Sequence, residues 1–386
     1  MKKKKLIGIT AAVSVLAIIV TGLVIIVLYN TVLKPKDFGN IIPASGQGTG
    51  YFRYCYNELN DNEKEIYAVA LAGLYSGEEE IEVPALTDGD LNKILKALSS
   101  DNPDLFNLGL KGTIYKRGLK TFFKPEYALD YATYTQRLKE ADDIASVIVD
   151  GASAFTSPYD KEKYVHDYII TQCSYVEPEA GASYNTIYGC LVEGKASCEG
   201  YSRAFQFILN KLDIDNRLVT GESADDGVNF IRHMWNFVTL EEGESYFVDL
   251  TWDDPKAQNA VLRHTYFNVP TSDILINHKN IEQPVPLTTA TQYNYFVREG
   301  LMFQVGSGDV FESAVYNAVF TAVEKQYKCA EFRFISGPVK TQGINALFNE
   351  GVLNGALISA GLIPAGQTAQ VYYSSDDNLN VVCVYF

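Results

Sequence analysis

Positive charge is scarce in this chain, with 32 lysines and arginines against 47 aspartates and glutamates in 386 residues. Setting aside Lys2 to Lys5 leaves 28 basic residues, a balance of −19 for the remainder. Such a field repels phosphate backbones, which argues against a nucleic-acid partner and against binding to other anionic polymers. Histidine is rarer still. His166, His233, His264 and His278 stand at no metal-ligand spacing to one another or to a cysteine pair, so there is no zinc or haem motif, and neither a metal nor another cofactor is expected. Six cysteines, Cys55, Cys173, Cys190, Cys198, Cys329 and Cys383, are too few and too scattered for a disulfide scaffold. If Cys198 is a free nucleophile, at most two bridges can form among the other five, with Cys173 to Cys190 one candidate. The chain also has no internal repeat, no low-complexity tract and no phosphate-binding loop.

What it has at the start is an uncharged apolar run of 23 residues, Leu6 to Leu28, directly after Lys2 to Lys5. That length spans a bilayer, and it exceeds the usual ~7–15-residue core of a cleavable signal. An uncleaved single-pass anchor is expected, with the lysines and the N-terminus cytoplasmic and the remainder outside. Leu33 to Gly50, with Pro35, Pro43 and five glycines or serines, reads as a linker off the membrane.

The chemistry concentrates downstream, in Gly194-Lys195-Ala196-Ser197-Cys198-Glu199-Gly200-Tyr201, then His233-Met234-Trp235-Asn236, then Val248-Asp249-Leu250-Thr251-Trp252. Tyr201, Phe205, Ile208 and Leu212 recur at helical intervals while Glu199, Arg203 and Lys211 can face water, which predicts an amphipathic helix with Cys198 in its first turn. Free N–H groups and the helix dipole favour a thiolate there, and Ser197 is placed as an N-cap. Phe230 to Leu240 and Glu244 to Trp252 predict two strands joined by Glu241-Glu242-Gly243. With Gly243 left-handed, Leu240 pairs with Glu244, and paired residue numbers sum to 484. Asp249 then lies opposite Trp235, and His233 becomes its diagonal neighbour on the same face. A slip of one residue would separate them.

These three segments, in this order and with these flanks, resemble the transglutaminase-like core, in particular its bacterial members, over about 100 residues from near Pro158 to Pro255. The resemblance implies an α+β fold in which a papain-like cysteine helix packs on an antiparallel sheet. It further implies Cys198 as nucleophile, His233 as general base and acid, and Asp249 as the residue that holds the imidazole. Tyr188 is the upstream candidate for assisting the oxyanion, and Trp235 is expected to pack around the site. The activity implied is thiol-protease-like amide acyl transfer or hydrolysis through a thioester, as a peptidase, deamidase or protein cross-linker; the expected anchor puts it outside the cytoplasm, on a protein or peptide such as a cell-envelope component. A different reading is a non-catalytic surface scaffold that keeps the fold for recognition.

The expected organisation is 1–36 lysines and anchor, 37–157 linker and N-terminal accessory region, 158–283 transglutaminase-like core and 284–386 a C-terminal α/β accessory module. Ser157-Pro158 caps a helix with Tyr164, Val165, Tyr168 and Ile169 on one face, and Tyr184 to Leu191 predicts a short second helix. Thr87-x-x-Asp90 predicts a helix cap, and Lys116-Arg117-Gly118 a hairpin turn. His166-Asp167 is expected at the surface. His264 is expected to be structural, before a strand at Tyr266 to Val269. Asp253-Asp254-Pro255 reads as a turn signal. Tyr293 to Val297 and Met302 to Val305 should flank a turn, Val315 to Val323 reads as helix, and Cys329 to Ile335 and Val381 to Phe386 read as strands.

Overall fold

The computed structural model of the chain describes residues 19–27, 53–86, 88–179, 183–254 and 262–386. Most of the expected anchor falls outside these residues. Residues 19–27 are helical, and no described helix is long and apolar enough to cross a membrane. Thr87 and Pro255 also lie outside them. The described chain divides into two units, one of residues 19–27, 53–99 and 107–131 and the other of residues 100–106 and 132–386.

In the first unit, α1 (Asp61–Tyr75) opens with a reciprocal cap: the Asn60 side chain accepts from Glu63 N at 3.0 Å, and Glu63 Oε2 accepts from Asn60 N at 2.7 Å. It is followed by β1 (Ile81–Val83), α2 (Asp88–Asp101), β2 (Leu108–Arg117) and β3 (Lys120–Tyr127). The three strands form an antiparallel sheet in the order β1-β3-β2. Its hairpin turns at Gly118, whose φ of +65° suits a residue without a side chain.

The second unit begins with α3 (Tyr131–Ala152) and α4 (Pro158–Gln172), followed by β4 (Ser174–Tyr175), α5 (Ile187–Leu191), β5 (Lys195–Ala196) and α6 (Cys198–Lys211). Three long strands follow: β6 (Asp215–Ser223), β7 (Ile231–Thr239) and β8 (Ser245–Val248). After the single turn α7 (Leu250–Asp253), β9 (His278–Lys279) completes an antiparallel sheet of order β8-β7-β6-β9. Residues 266–269 contribute only the bridge between Val269 and Phe247 rather than a full strand. The remaining elements are β10 (Met302–Phe303), α8 (Asp309–Glu324), β11 (Cys329–Phe334), α9 (Gly337–Phe348), α10 (Val352–Ser359), β12 (Tyr372–Asp376) and β13 (Val381–Tyr385). These strands form a second sheet of order β10-β11-β13-β12. Tyr295–Arg298, overlapping the first of the two segments expected to flank a turn, is a single helical turn before β10.

Register decides whether the site exists. β7 pairs with β8 through Asn236–Val248, Phe237–Phe247, Val238–Tyr246 and Thr239–Ser245, and Leu240 N donates to Glu244 O at 2.8 Å. The three-residue loop carries Gly243 at φ +75°, the left-handed residue that this hairpin type needs. The pairing is the one expected from the turn.

Two apolar cores flank α6 and the first sheet. One gathers Phe205, Ile208, Val238 and Val248 with Ala141, Ala145 and Ile148 of α3, so α3 belongs with the second unit and the chain divides near residue 131 rather than 157. The other joins Val219, Trp235, Phe237 and Phe247 of the first sheet to Phe303, Phe311, Phe332 and Val382. Residues of the C-terminal region therefore share a core with the β8-β7-β6-β9 sheet. Each buried valine, isoleucine or phenylalanine of these cores contributes about 1.5–3 kcal/mol.

α6 departs from a simple amphipathic pattern, because every residue from Gly200 to Asn210 is buried. Arg203, expected to face water, is buried and pairs with Glu199 across one turn at 2.9 Å.

Candidate active site

Cys198 is the first residue of α6 and is partly exposed. Ser197 occupies the N-cap position with extended backbone, but its hydroxyl does not cap the helix. It donates instead to Asn185 Oδ1 at 2.6 Å, so no capping side chain covers the first-turn N–H groups beside Cys198. Those groups point outward with the positive end of the helix dipole.

His233 comes from β7 and Asp249 from the residue after β8. His233 Nε2 donates to Asp249 Oδ2 at 2.6 Å, and the Cys198 thiol lies within hydrogen-bonding reach of the same ring. With Nε2 engaged, Nδ1 is the nitrogen that serves the thiol. Both acid and base are buried, His233 at 5 % exposure and Asp249 at 0 %. Burial alone would lower the His233 pKa, yet the Asp249 charge and hydrogen bond, with a smaller push from Cys198, raise it to about 10. Burial likewise works against ionisation of Asp249, and the His233 charge with hydrogen bonds from His233 and His278 outweighs it, holding the carboxyl well below the usual range. The pair therefore rests as imidazolium and carboxylate, the state that stabilises a thiolate.

Asp249 is also the N-cap of α7. Its Oδ1 accepts from Thr251 N at 2.9 Å and Trp252 N at 3.2 Å, which fixes the carboxylate plane. Its Oδ2 has a second partner that the sequence reading did not anticipate, His278 Nε2 at 2.9 Å. His278 is buried, and burial first, then the His233 charge, lower its pKa despite the pull of Asp249. A neutral ring has one N–H, which goes to Asp249. Its Nδ1 sits 2.7 Å from Asn277 Oδ1, so turning that amide puts its NH2 on Nδ1 and its oxygen on the Tyr266 hydroxyl, which is 2.5 Å from the amide. Trp235 stacks on His233 at 5.7 Å between ring centres and meets His278 edge-on at 4.8 Å, which agrees with the packing role expected of it.

Tyr188 goes elsewhere: its ring lies under Arg137 at 4.8 Å and its hydroxyl interacts with Glu140, both on α3. The tyrosine whose ionisation feels the Cys198 charge is Tyr175 of β4, which pairs with Ala196, two residues before Cys198. His166-Asp167 is likewise not at the surface. Asp167 Oδ1 is 3.1 Å from His166 Nδ1 and 2.9 Å from His264 Nε2, while its Oδ2 accepts from Lys163 Nζ at 2.5 Å and from the Tyr327 hydroxyl at 3.0 Å. His264 Nδ1 meets Glu331 of β11 at 2.9 Å, and His166 Nε2 meets Asp253 at 3.2 Å. Asp253 and Asp254 are thus buried anchors and not the end of a strand: the strand expected to run to Trp252 stops at Val248, Asp253 closes α7, and Asp254 takes the Tyr201 hydroxyl at 2.5 Å.

Two clusters bring three ligand-type atoms within 4.8 Å, namely His233-Asp249-His278 and His166-Asp167-His264. In each the carboxylate is already bonded to both imidazoles, and at Asp167 the Lys163 ammonium fills the remaining side, so both sets are satisfied without an ion. Cys173 and Cys190 lie in contact, as do Cys329 and Cys383.

A cleft of about 560 Å³ opens at His233, lined among others by Tyr175, Thr251, Trp252, Tyr266 and Asp376. The constellation supports nucleophilic attack by sulfur on a carbonyl, with a proton held next to it.

Residues 146–250 match the profile of the Transglutaminase-like superfamily, and the chain carries a domain of that superfamily. No curated protein matches the chain. Among solved structures it is similar to a TGase at 18 % identity and a TM-score of 0.27, over 45 % of this chain and 50 % of that one. It is also similar to a candidate cysteine protease from Cytophaga hutchinsonii at 13 % identity and a TM-score of 0.25, over 29 % of this chain and 37 % of that one. A candidate protease from Parabacteroides distasonis aligns at 13 % identity and a TM-score of 0.21, over 38 % of this chain and 34 % of that one. The chain spans half or less of the length of each.

Proposed function

We propose that this chain, which carries a transglutaminase-like superfamily domain over residues 146–250, is a cysteine-dependent enzyme that cleaves or exchanges amide bonds through a thioester. The observation that supports the reading is the linked set of Cys198, His233 and Asp249, with the base charged and the carboxylate ionised. Cys198 Sγ attacks the amide carbonyl carbon and forms a C–S bond. The developing oxyanion is met by uncapped N–H groups at the start of α6, with the nearby Tyr175 hydroxyl as a further donor. Collapse breaks the C–N bond, and His233 passes its proton to the departing amine. Neutral His233 then takes a proton from water or a second amine as it attacks the thioester, and the thiolate is released. Water gives hydrolysis and an amine gives transamidation.

We place this chemistry outside the cytoplasm, on a protein or peptide substrate such as a cell-envelope component, with Leu6 to Leu28 as the anchor. The support is the apolar run behind Lys2 to Lys5. External protease added to intact cells should then degrade residues beyond the anchor, and full protection would refute the placement.

The chemistry is tested with amine probes and quenched peptides on the wild-type chain and on Cys198→Ala. Turnover lost with the thiol is the expected result. Brief iodoacetamide treatment at pH 6 should mark Cys198 ahead of the other cysteines, since the His233 charge is present there. Absence of turnover together with slow, uniform labelling of all cysteines would favour a binding scaffold.

A further inference from the structure

The cleft at His233 has a lopsided charge. Asp225, Asp226, Asp254 and Asp376 line it, against Arg263 and the His233 imidazolium, whose charge Asp249 balances from behind, among its described lining residues. The Arg263 guanidinium is drawn to the far wall, donating to Ser374 Oγ at 3.1 Å and the Tyr385 hydroxyl at 2.5 Å. Asp376 accepts from Leu379 N through Oδ1 at 2.7 Å, while its Oδ2 has the Tyr266 hydroxyl only at 3.4 Å. Asp225 and Asp226 are exposed on the loop between β6 and β7. N–H groups of Val228 and Asn229 bind Asp226 and keep its pKa low, so it stays charged. Ile231 beside them is 65 % exposed and lines the same cleft, an apolar ledge for the stem of a long cationic side chain.

A second observation points to a ligand. Thr251 is 5 % exposed and lines the cleft, and its Oγ1 has no hydrogen-bond partner. Buried hydroxyls are nearly always paired. A peptide N–H or C=O laid along the cleft past α7 would supply the partner.

We infer that the cleft selects peptides carrying a lysine or arginine beside the attacked amide, with Asp376, Asp225 and Asp226 reading the charge and the Thr251 hydroxyl holding the peptide backbone. The C-terminal region thereby acquires a task, since Asp376 ends β12. The inference rests on the reading of Cys198 as nucleophile.

The test uses the full chain and three chloromethyl ketones, acetyl-Lys-Gly, acetyl-norleucyl-Gly and acetyl-Glu-Gly. The rate of Cys198 alkylation by each is read by peptide mapping and divided by the rate with iodoacetamide. At low salt the lysyl probe should lead the norleucyl one about two- to fivefold, the scale of partly exposed charge pairs, with the glutamyl probe slowest. The lead should shrink toward unity at 1 M salt. Asp376→Asn, which keeps an acceptor for Leu379 N, and Asp225→Asn in the exposed loop should each cut it about twofold or more. Thr251→Val should slow all three probes alike. Equal normalised rates in the wild type overturn the inference while leaving the nucleophile in place, and this is also the outcome if cationic amines enter only as acyl acceptors. A Cys198 inert to iodoacetamide removes the nucleophile, and the inference with it.

Discussion

Replacing Asp249 with asparagine is the sharpest probe of the site, because it removes charge while retaining an oxygen for Thr251 N and Trp252 N. The leading upward influence on the His233 pKa, raised to about 10, is the Asp249 charge. Without it the ring should fall to its ordinary ~6.5 or below, because burial also lowers it. At pH 8 the imidazolium fraction would fall from nearly all to about 3 % or less, a loss of roughly thirtyfold or more in the ion pair proposed to activate Cys198. Toward pH 5 the variant ring regains its proton, so the difference should shrink. The sign is that of a raised base: the advantage of the wild type is small below about pH 6.5, grows between there and about 10, and ends as His233 itself deprotonates. The assay is the iodoacetamide rate at Cys198 from pH 5 to 10 by peptide mapping, with a thermal melt to check folding. Turnover on any substrate should fall further, by about 10³–10⁴, because Asn also fails to fix the His233 tautomer. Superimposable alkylation profiles for wild type and Asp249→Asn would show that some other group charges His233.

Three further outcomes follow from named contacts. His278→Ala removes one donor from Asp249 and leaves its charge, so kcat should drop about tenfold while the pH profile of Cys198 labelling keeps its shape; a shifted profile would contradict this. Glu162 is buried with Oε1 unpaired, and burial raises its pKa to about 8. Between about pH 4.5 and 8 the unfolded chain releases this proton and the folded one keeps it, so wild-type stability declines with pH in that window, and Glu162→Gln should be more stable by on the order of a few kcal/mol above pH 8. Denaturant melts at pH 5 and 8.5 check it, and an equal difference at both would refute it. A Cβ on Gly200 would stand 2.2 Å from Tyr184 O, a backbone atom, so Gly200→Ala should cost about 1–3 kcal/mol or more and disturb the Cys198 turn; a wild-type melting temperature would contradict this.

The hairpin was legible because its determinants are local: three loop residues with a left-handed glycine set the pairing, and the pairing carries His233 to Asp249. His278 was not, since it arrives on a two-residue strand that pairs with the end of β6 at Ser223, and no periodicity marks so short an element. His166 and Asp167, expected to face different directions as adjacent helical residues, meet through Nδ1 and Oδ1 at 3.1 Å. The surface placement failed because both directions are covered, His166 by Asp253 and Asp167 by His264 and Tyr327, partners at least 87 residues away in the chain. Ser197 has the right type and place for a cap, but Asn185 competes for its hydroxyl, a contact between segments that local propensity does not reveal. Tyr188 fell to orientation: α5 buries Ile187, Gly189 and Cys190 and turns the tyrosine toward α3.

The all-round burial of α6 divides the ways in which this protein can change. On a helix with a wet face, substitutions can drift without touching the fold. Here nearly every position behind Cys198 is clamped, so a saturation scan should find activity and folding failing together along the helix. Variation that alters what the protein accepts, and not whether it folds, would have to accumulate in the exposed stretch from Asp225 to Asn229 and in the turn after β12, where side chains meet solvent. The scaffold thus confines innovation to the rim of the cleft and holds Cys198 beyond its reach.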